Sequence, residues 1–230
     1  MLRKLSCIIF VSCALFFNSC KLEDDDKAKI SIGFSQSIDY DIWRKSMDHA
    51  MEVEASLHPE VKLTIHNANR QAKKQIDDIE KFIADKVDVI IVSPFESDSI
   101  IPVIEKANAI GIPVIIVDRK VNTSNYTAYL GADNVEVGRI AGRHIVSLSK
   151  GNANVIEIKG ASYTSPGLER TMGFRQIIEQ YPGVKVISID AKKDELPKDV
   201  FVNILKNAPE INYVFAYNDV IAYQAWKVAK

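Results

Sequence analysis

Cysteine is missing from everything beyond residue 20. All three cysteines, Cys7, Cys13 and Cys20, lie in the first twenty residues, so the rest of the chain can form neither a disulfide nor a thiolate metal site. Glycine-rich phosphate turns are missing too. The segment after the first apolar run reads Gly33-Phe34-Ser35-Gln36-Ser37, with no G-x-G-x-x-G, and the chain has no P-loop and no G-x-S-x-G. Dinucleotide binding, phosphate cradling and serine hydrolysis therefore have no sequence support. His49, His58, His66 and His144 show no paired metal-ligand spacing, and 30 acidic residues supply carboxylate pairs everywhere without marking a catalytic one. No catalytic residue, metal or cofactor is expected. A formal charge of −1 lacks the basic surplus of a nucleic-acid binder, so no nucleic-acid partner is expected either.

The N-terminus carries an export signal. Arg3 and Lys4 form a positive start, Cys7 to Phe17 an apolar stretch shorter than the ~20 residues a membrane span needs, and Asn18-Ser19-Cys20 a cleavage region. Residues 1–20 are read as this signal, and 21–29, with Glu23-Asp24-Asp25-Asp26, as a solvated acidic linker. Leu15 to Cys20 resembles a bacterial lipobox, although Phe17 and Asn18 depart from its small residues; lipidation at Cys20, ordinary cleavage just before or after it, and an uncleaved anchor are the three readings.

From Ile30 the chain alternates apolar runs rich in Val and Ile with amphipathic stretches. The runs are Ile30–Phe34, Val61–Ile65, Val87–Val92, Pro113–Val117, Thr127–Leu130, Val155–Ile158, Val184–Ile189 and Tyr213–Ala216. Helices are expected over roughly 41–57, 71–86, 98–110, 134–149, 167–181, 198–207 and 219–230; Ile76, Ile79, Phe82 and Ile83 repeat at helical spacing. Ser165-Pro166 reads as an N-cap with proline at the first helical position. Asp133 to Glu136 reads as a capping box with Glu136 reaching back. This alternation implies an α/β fold with parallel sheets flanked by helices. The polar stretch from Asp118 to Tyr126 interrupts the rhythm. An N-terminal lobe over 30–131 and a C-terminal lobe over 132–230 are therefore expected, the second apparently incomplete, since it shows three strands before Lys230.

Ligands of open parallel sheets sit beyond the carboxyl ends of the strands. The residues there include Ser35, Gln36, Asp41, Trp43 and Arg44 after the first run and Asn67-Ala68-Asn69 after the second. Ser93-Pro94-Phe95 follows the third, Asp118-Arg119-Lys120 the fourth, and Tyr163, Ser165, Arg170 and Tyr217-Asn218-Asp219 come later. Planar Asp, Asn and Arg groups can each pair with adjacent hydroxyls, and an aromatic face covers the C–H side of a sugar ring. Each has a plainer reading. Asp118-Arg119 can be a local ion pair, Asn69 and Asn218 turn formers or caps, and Trp43 core.

Ser93-Pro94, Gly111-Ile112-Pro113-Val114, Asp118-Arg119, Gly131-Ala132-Asp133-Asn134, Gly138 to Gly142, Glu169-Arg170, Gly173-Phe174 and Phe215 to Asp219 occur in one order along most of the chain. In that order they resemble periplasmic binding proteins of the ribose-binding type, which share a core with lactose-repressor-type regulators. A narrower set, Phe34-Ser35-Gln36, Trp43-Arg44-Lys45, Asn67-Ala68-Asn69, Asp118-Arg119-Lys120 and Tyr129 to Asn134, is similar to sensor domains of Bacteroides-type hybrid two-component histidine kinases. The resemblance implies a two-lobed type I binding-protein fold and a non-enzymatic cleft that closes on a pentose or ketohexose. Trp43 and Arg44 would lie at the sugar ring, and Asn69, Asp118, Arg119, Arg170 and Asn218 would hydrogen-bond its hydroxyls. It also implies a periplasmic, membrane-associated location. The partner would be a membrane-embedded kinase or, alternatively, the permease of a sugar ABC transporter. A DNA-binding repressor would need a helix-turn-helix where the export signal stands.

Overall fold

The computed structural model describes residues 30–161, 164–191, 195–208 and 210–230. The export signal, Cys20, the acidic linker and Tyr163 lie outside the described residues.

The Val/Ile runs become parallel strands, the Val89–Val92 and Val114–Val117 runs among the most buried of them. Strands β1 (Ile30–Gln36), β2 (Val61–Asn67), β3 (Val89–Val92), β4 (Val114–Val117) and β5 (Ala128–Leu130) form one parallel sheet in the order β2-β1-β3-β4-β5. Strands β6 (Ala153–Lys159), β7 (Val184–Asp190) and β8 (Tyr213–Ala216) form a second parallel sheet, ordered β7-β6-β8. The helices are α1 (Ile42–Ser56), α2 (Ala72–Ala84), α3 (Ile101–Ala109), α4 (Asn134–Ser149), α5 (Ser165–Ile178), α6 (Lys198–Asn207) and α7 (Asp219–Ala229). The strand order reverses between β1 and β3 in the first sheet and between β6 and β8 in the second. Crevices at such switch points, beyond the carboxyl ends, are where open α/β sheets bind ligands.

Each sheet has its own core. Ile79 and Phe82 of α2 pack with Ile90, Ile104, Val114 and Ile116 under the first sheet. Ile156, Ile158, Phe201 and Ile221 form one cluster on the second sheet, and Val155, Phe174, Ile178 and Phe215 another. Each of the larger side chains contributes about 1.5–3 kcal/mol by leaving water. These layers hold the strand ends, and hence the candidate site, in place.

Several element ends differ from those the sequence suggests. β1 and β2 run on into the polar Ser35-Gln36 and His66-Asn67, because the parallel ladder continues to the pair Gln36–Asn67 after the apolar pattern stops. The third helix starts at Ile101 rather than residue 98, since Pro102, which lacks an N–H, fits only its first turn. Ser165 is not the cap of α5: Thr164 holds that position, and the Ser165 hydroxyl accepts instead from the Lys120 backbone N–H at 2.7 Å. The capping box of α4 is half formed. Asp133 accepts from the Glu136 N–H at 2.9 Å, but the Glu136 carboxylate turns to Arg139 and Arg143. Those charge-assisted bonds hold it below the usual carboxylate pKa.

Candidate sugar-binding cleft

The first sheet contributes a network around Arg44. Ser35, Gln36 and Ser37 are fully buried at the end of β1, and Asp41 caps α1 by accepting the Arg44 N–H at 2.8 Å. The cap brings the Arg44 side chain back over the strand end. Its Nη1 meets Asp41 at 2.8 Å, its Nε donates to the Ser37 hydroxyl at 3.2 Å, and its Nη2 meets Asp118 Oδ2 at 2.8 Å. Arg44 is thus nearly buried yet has carboxylate partners on both sides. Trp43 stays 53% exposed, with the Arg44 guanidinium 5.4 Å from its ring centre.

Asp118 follows β4 with φ +65°, a left-handed conformation that Asp tolerates better than most residues. Its backbone is held from two sides: its N–H donates to Leu130 O at 2.9 Å, and its carbonyl accepts the Tyr129 hydroxyl at 3.0 Å. Burial raises the pKa of that Tyr129 hydroxyl, which favours its neutral, donating form. Arg119 directs Nη1 to the carbonyls of Pro94 and Phe95 at 3.3 and 3.2 Å, while its Nε lies 3.8 Å from Asp118. Asn69 is exposed, with φ +51°, in a loop whose backbone is tied to β1: Ala68 N–H donates to Gln36 O and Arg70 N–H to Ser37 O.

The second sheet contributes Arg170 and Asn218. Arg170 Nε donates to Asn134 Oδ1 at 2.9 Å and Nη1 to the Tyr217 carbonyl at 2.8 Å, so two fixed acceptors orient one guanidinium. Asn218 caps α7 by accepting the Ile221 N–H at 2.9 Å. Arg170, Tyr217 and Asn218 line an open cavity of about 530 Å³, together with His144 and apolar residues of α4, the strand β8, and Asp219 and Ala222 of α7. Among the described residues, no group of three or more His, Cys, Asp or Glu side chains could hold a metal ion.

The structure therefore gathers Trp43, Arg44, Asp118 and Arg119 into one contact chain, carries Asn69 beside the same sheet's end, and groups Arg170 with Asn218 on the other sheet. Lys120 joins the two groups. Its Nζ pairs with Glu169 Oε1 at 2.7 Å, one residue before Arg170. The hydrogen bond to Glu169 keeps the Lys120 ammonium charged to a higher pH than usual. Sequence reasoning passed over Asn134 as a functional group, although its place opposite the Glu169-Arg170 pair decides how Arg170 points.

Residues 32–230 match the periplasmic binding protein domain. The chain belongs to the periplasmic binding protein family. It is 28% identical to the ribose import binding protein of Bacillus subtilis, covering 97% of this chain and 76% of that relative. It is 29% identical to the Escherichia coli ribose import binding protein over 71% of this chain and 55% of that one. Its structure superposes on the fructose-binding periplasmic domain of a hybrid two-component system with a TM-score of 0.80 and 37% identity, covering 87% of this chain and 67% of that domain. The arabinose-transporter binding protein of Shewanella sp. ANA-3, bound to L-arabinofuranose, gives a TM-score of 0.78 and 29% identity over 86% and 68%. These relatives are binding proteins rather than enzymes.

Proposed function

We propose that this domain recognises a monosaccharide, a pentose or ketohexose, outside the cytoplasm, in a cleft between an N-terminal lobe (30–131) and a C-terminal lobe (132–230). The observation that carries this reading is the Arg44–Asp118 ion pair of 2.8 Å beside Trp43 and Arg119, a paired cation and carboxylate with an exposed indole at the carboxyl ends of β1 and β4. Such groups offer donors and acceptors to adjacent hydroxyls and a flat face to a ring. Arg170, Asn218 and Asn69 would complete the hydroxyl contacts, and closure of the lobes would follow from sugar touching both. The fructose-binding sensor relative favours a ketohexose and a membrane-embedded histidine kinase as the reader of closure. The Shewanella relative, the binding component of an arabinose ABC transporter, favours a second reading, the substrate-binding protein of a sugar ABC transporter, which an anchor at Cys20 would make a lipoprotein.

A thermal-shift panel of pentoses and hexoses followed by calorimetry tests the binding. A rise in Tm with one furanose-forming sugar is expected, and a protein indifferent to every monosaccharide refutes it. Co-purification from native membranes separates kinase from permease. A membrane anchor at Cys20 predicts incorporation of radiolabelled fatty acid that disappears in Cys20→Ala.

A further inference from the structure

Gln75 lies on the apolar stripe of α2, one turn before Ile79, and its side chain is as buried as the hydrophobic residues beside it. A buried primary amide is costly unless its hydrogen-bonding groups are satisfied. Here the Nε2 group donates to the Ser93 carbonyl at 2.9 Å and the Ser35 hydroxyl at 3.2 Å, while Oε1 accepts the Phe95 N–H at 2.8 Å. One side chain therefore ties the end of β1 to the end of β3 and to the turn that follows. Those are the two strands that flank the switch point of the first sheet.

The same turn holds Arg119. The carbonyls of Pro94 and Phe95 are the acceptors for Arg119 Nη1. Phe95 thus accepts from Arg119 on one side of its peptide chain while donating to Gln75 on the other. A leucine or isoleucine at position 75 would fill the core as well, and the packing of α2 gives no reason for an amide there. The amide's bonding partners do.

We propose that Gln75 is a positioning residue for ligand binding: its buried amide fixes the Ser93–Phe95 turn, whose carbonyls in turn hold the Arg119 guanidinium in place. The assignment rests on the sugar-binding reading for its effect on affinity, but its structural half can be measured without sugar. A guanidinium held by fixed acceptors rotates slowly about its Nε–Cζ and Cζ–Nη bonds, and gives separate Nη resonances in NMR. Gln75→Met keeps the bulk and removes every hydrogen bond. In the sugar-free protein this variant is expected to merge the Arg119 Nη resonances that the wild type keeps apart. Unchanged resonances overturn the proposal, whether or not the wild type binds sugar.

Where the wild type binds a monosaccharide, Gln75→Met is expected to raise Kd about tenfold. In an Arg119→Ala background the same substitution should change Kd less than about twofold, because the group it positions is gone. A merely structural role would lower Tm alike in both backgrounds and weaken binding by the same factor in each; that equal loss overturns the proposal. Should Gln75→Met fail to fold, Gln75→Leu, likewise without side-chain hydrogen bonds, takes its place. A folded Gln75→Leu protein that still keeps the Arg119 Nη resonances apart overturns the assignment.

Discussion

Asp118 carries two burdens in one residue, a left-handed backbone and a carboxylate 2.8 Å from Arg44. The two can be separated by substitution. Asparagine tolerates positive φ about as well as aspartate, whereas alanine in that region costs roughly 1–2 kcal/mol. Asp118→Ala should therefore unfold at a lower temperature than Asp118→Asn, by about the stability that such strain represents. Both should weaken sugar binding at least about tenfold, ~1.4 kcal/mol, because neither leaves a carboxylate at position 118 to hold Arg44 Nη2 and accept from a sugar hydroxyl, and calorimetry beside thermal melts reads the two effects apart. Asp48 shows the opposite case, a carboxylate that costs stability. Burial, aided by Asp39 and Glu52, raises its pKa even though the Gln36 amide donates to it at 2.7 Å. A raised acid pKa means that the folded state disfavours the charge, so the penalty is present above the folded pKa and vanishes below the unfolded value of about 3.9. Asp48→Asn, which still accepts from Gln36, should melt higher than wild type at pH 7, and the advantage should disappear below about pH 4.

Helices α4 and α5 meet through glycines, and their packing sets Arg170. A Cβ on Gly138 would strike the Arg170 carbonyl and come within 2.7 Å of the Phe174 nitrogen, and one on Gly173 would strike the Val135 carbonyl. Backbone cannot yield as a flexible side chain can. Gly138→Ala and Gly173→Ala should each cost about 1–3 kcal/mol in denaturant unfolding and also weaken sugar binding by shifting Arg170 off Asn134. None of this close approach could be read from periodicity, which says that a helix has an apolar face but not which backbone it touches. The strands were readable because β3 and β4 are each the uninterrupted run Val-Ile-Ile-Val, bounded by polar or turn residues. The polar ends of β1 and β2 were not, because a parallel ladder continues through Gln36 and Asn67 on backbone bonds alone. Chemical type at the strand ends singled out Arg44 and Asp118, but their pairing across 74 residues of chain is a property of the fold. Gln75 gave a faint signal that went unused, an amide in line with Ile79 and Phe82 on the buried face of α2.

Across the whole molecule, the path from one sheet's strand ends to the other passes through Lys120. Its backbone N–H is held by Ser165 and its ammonium by Glu169, both on α5, while Asp118 and Arg119 precede it on the side of the first sheet. A contact placed there can bias how the strand ends of the two sheets, and the candidate site residues on them, sit toward one another. The second Glu169 oxygen is buried without a hydrogen bond among the described residues, so the carboxylate depends on Lys120 for compensation. Removing only the cation should therefore be worse than removing both charges: Lys120→Met should lower stability by about 1 kcal/mol after allowance for the partly exposed lysine, and Glu169→Gln in the same chain should restore part of it. The pH dependence has a definite sign. The Glu169 hydrogen bond raises the Lys120 pKa in the folded protein, so its contribution is complete below the unfolded lysine value of about 10.4 and is lost as pH rises through the higher folded value. The gap in Tm between wild type and Lys120→Met should accordingly hold constant from neutral pH to about pH 10 and narrow above it. A gap that instead widened in alkali would mean that the stabilising partner of Glu169 is not the Lys120 ammonium.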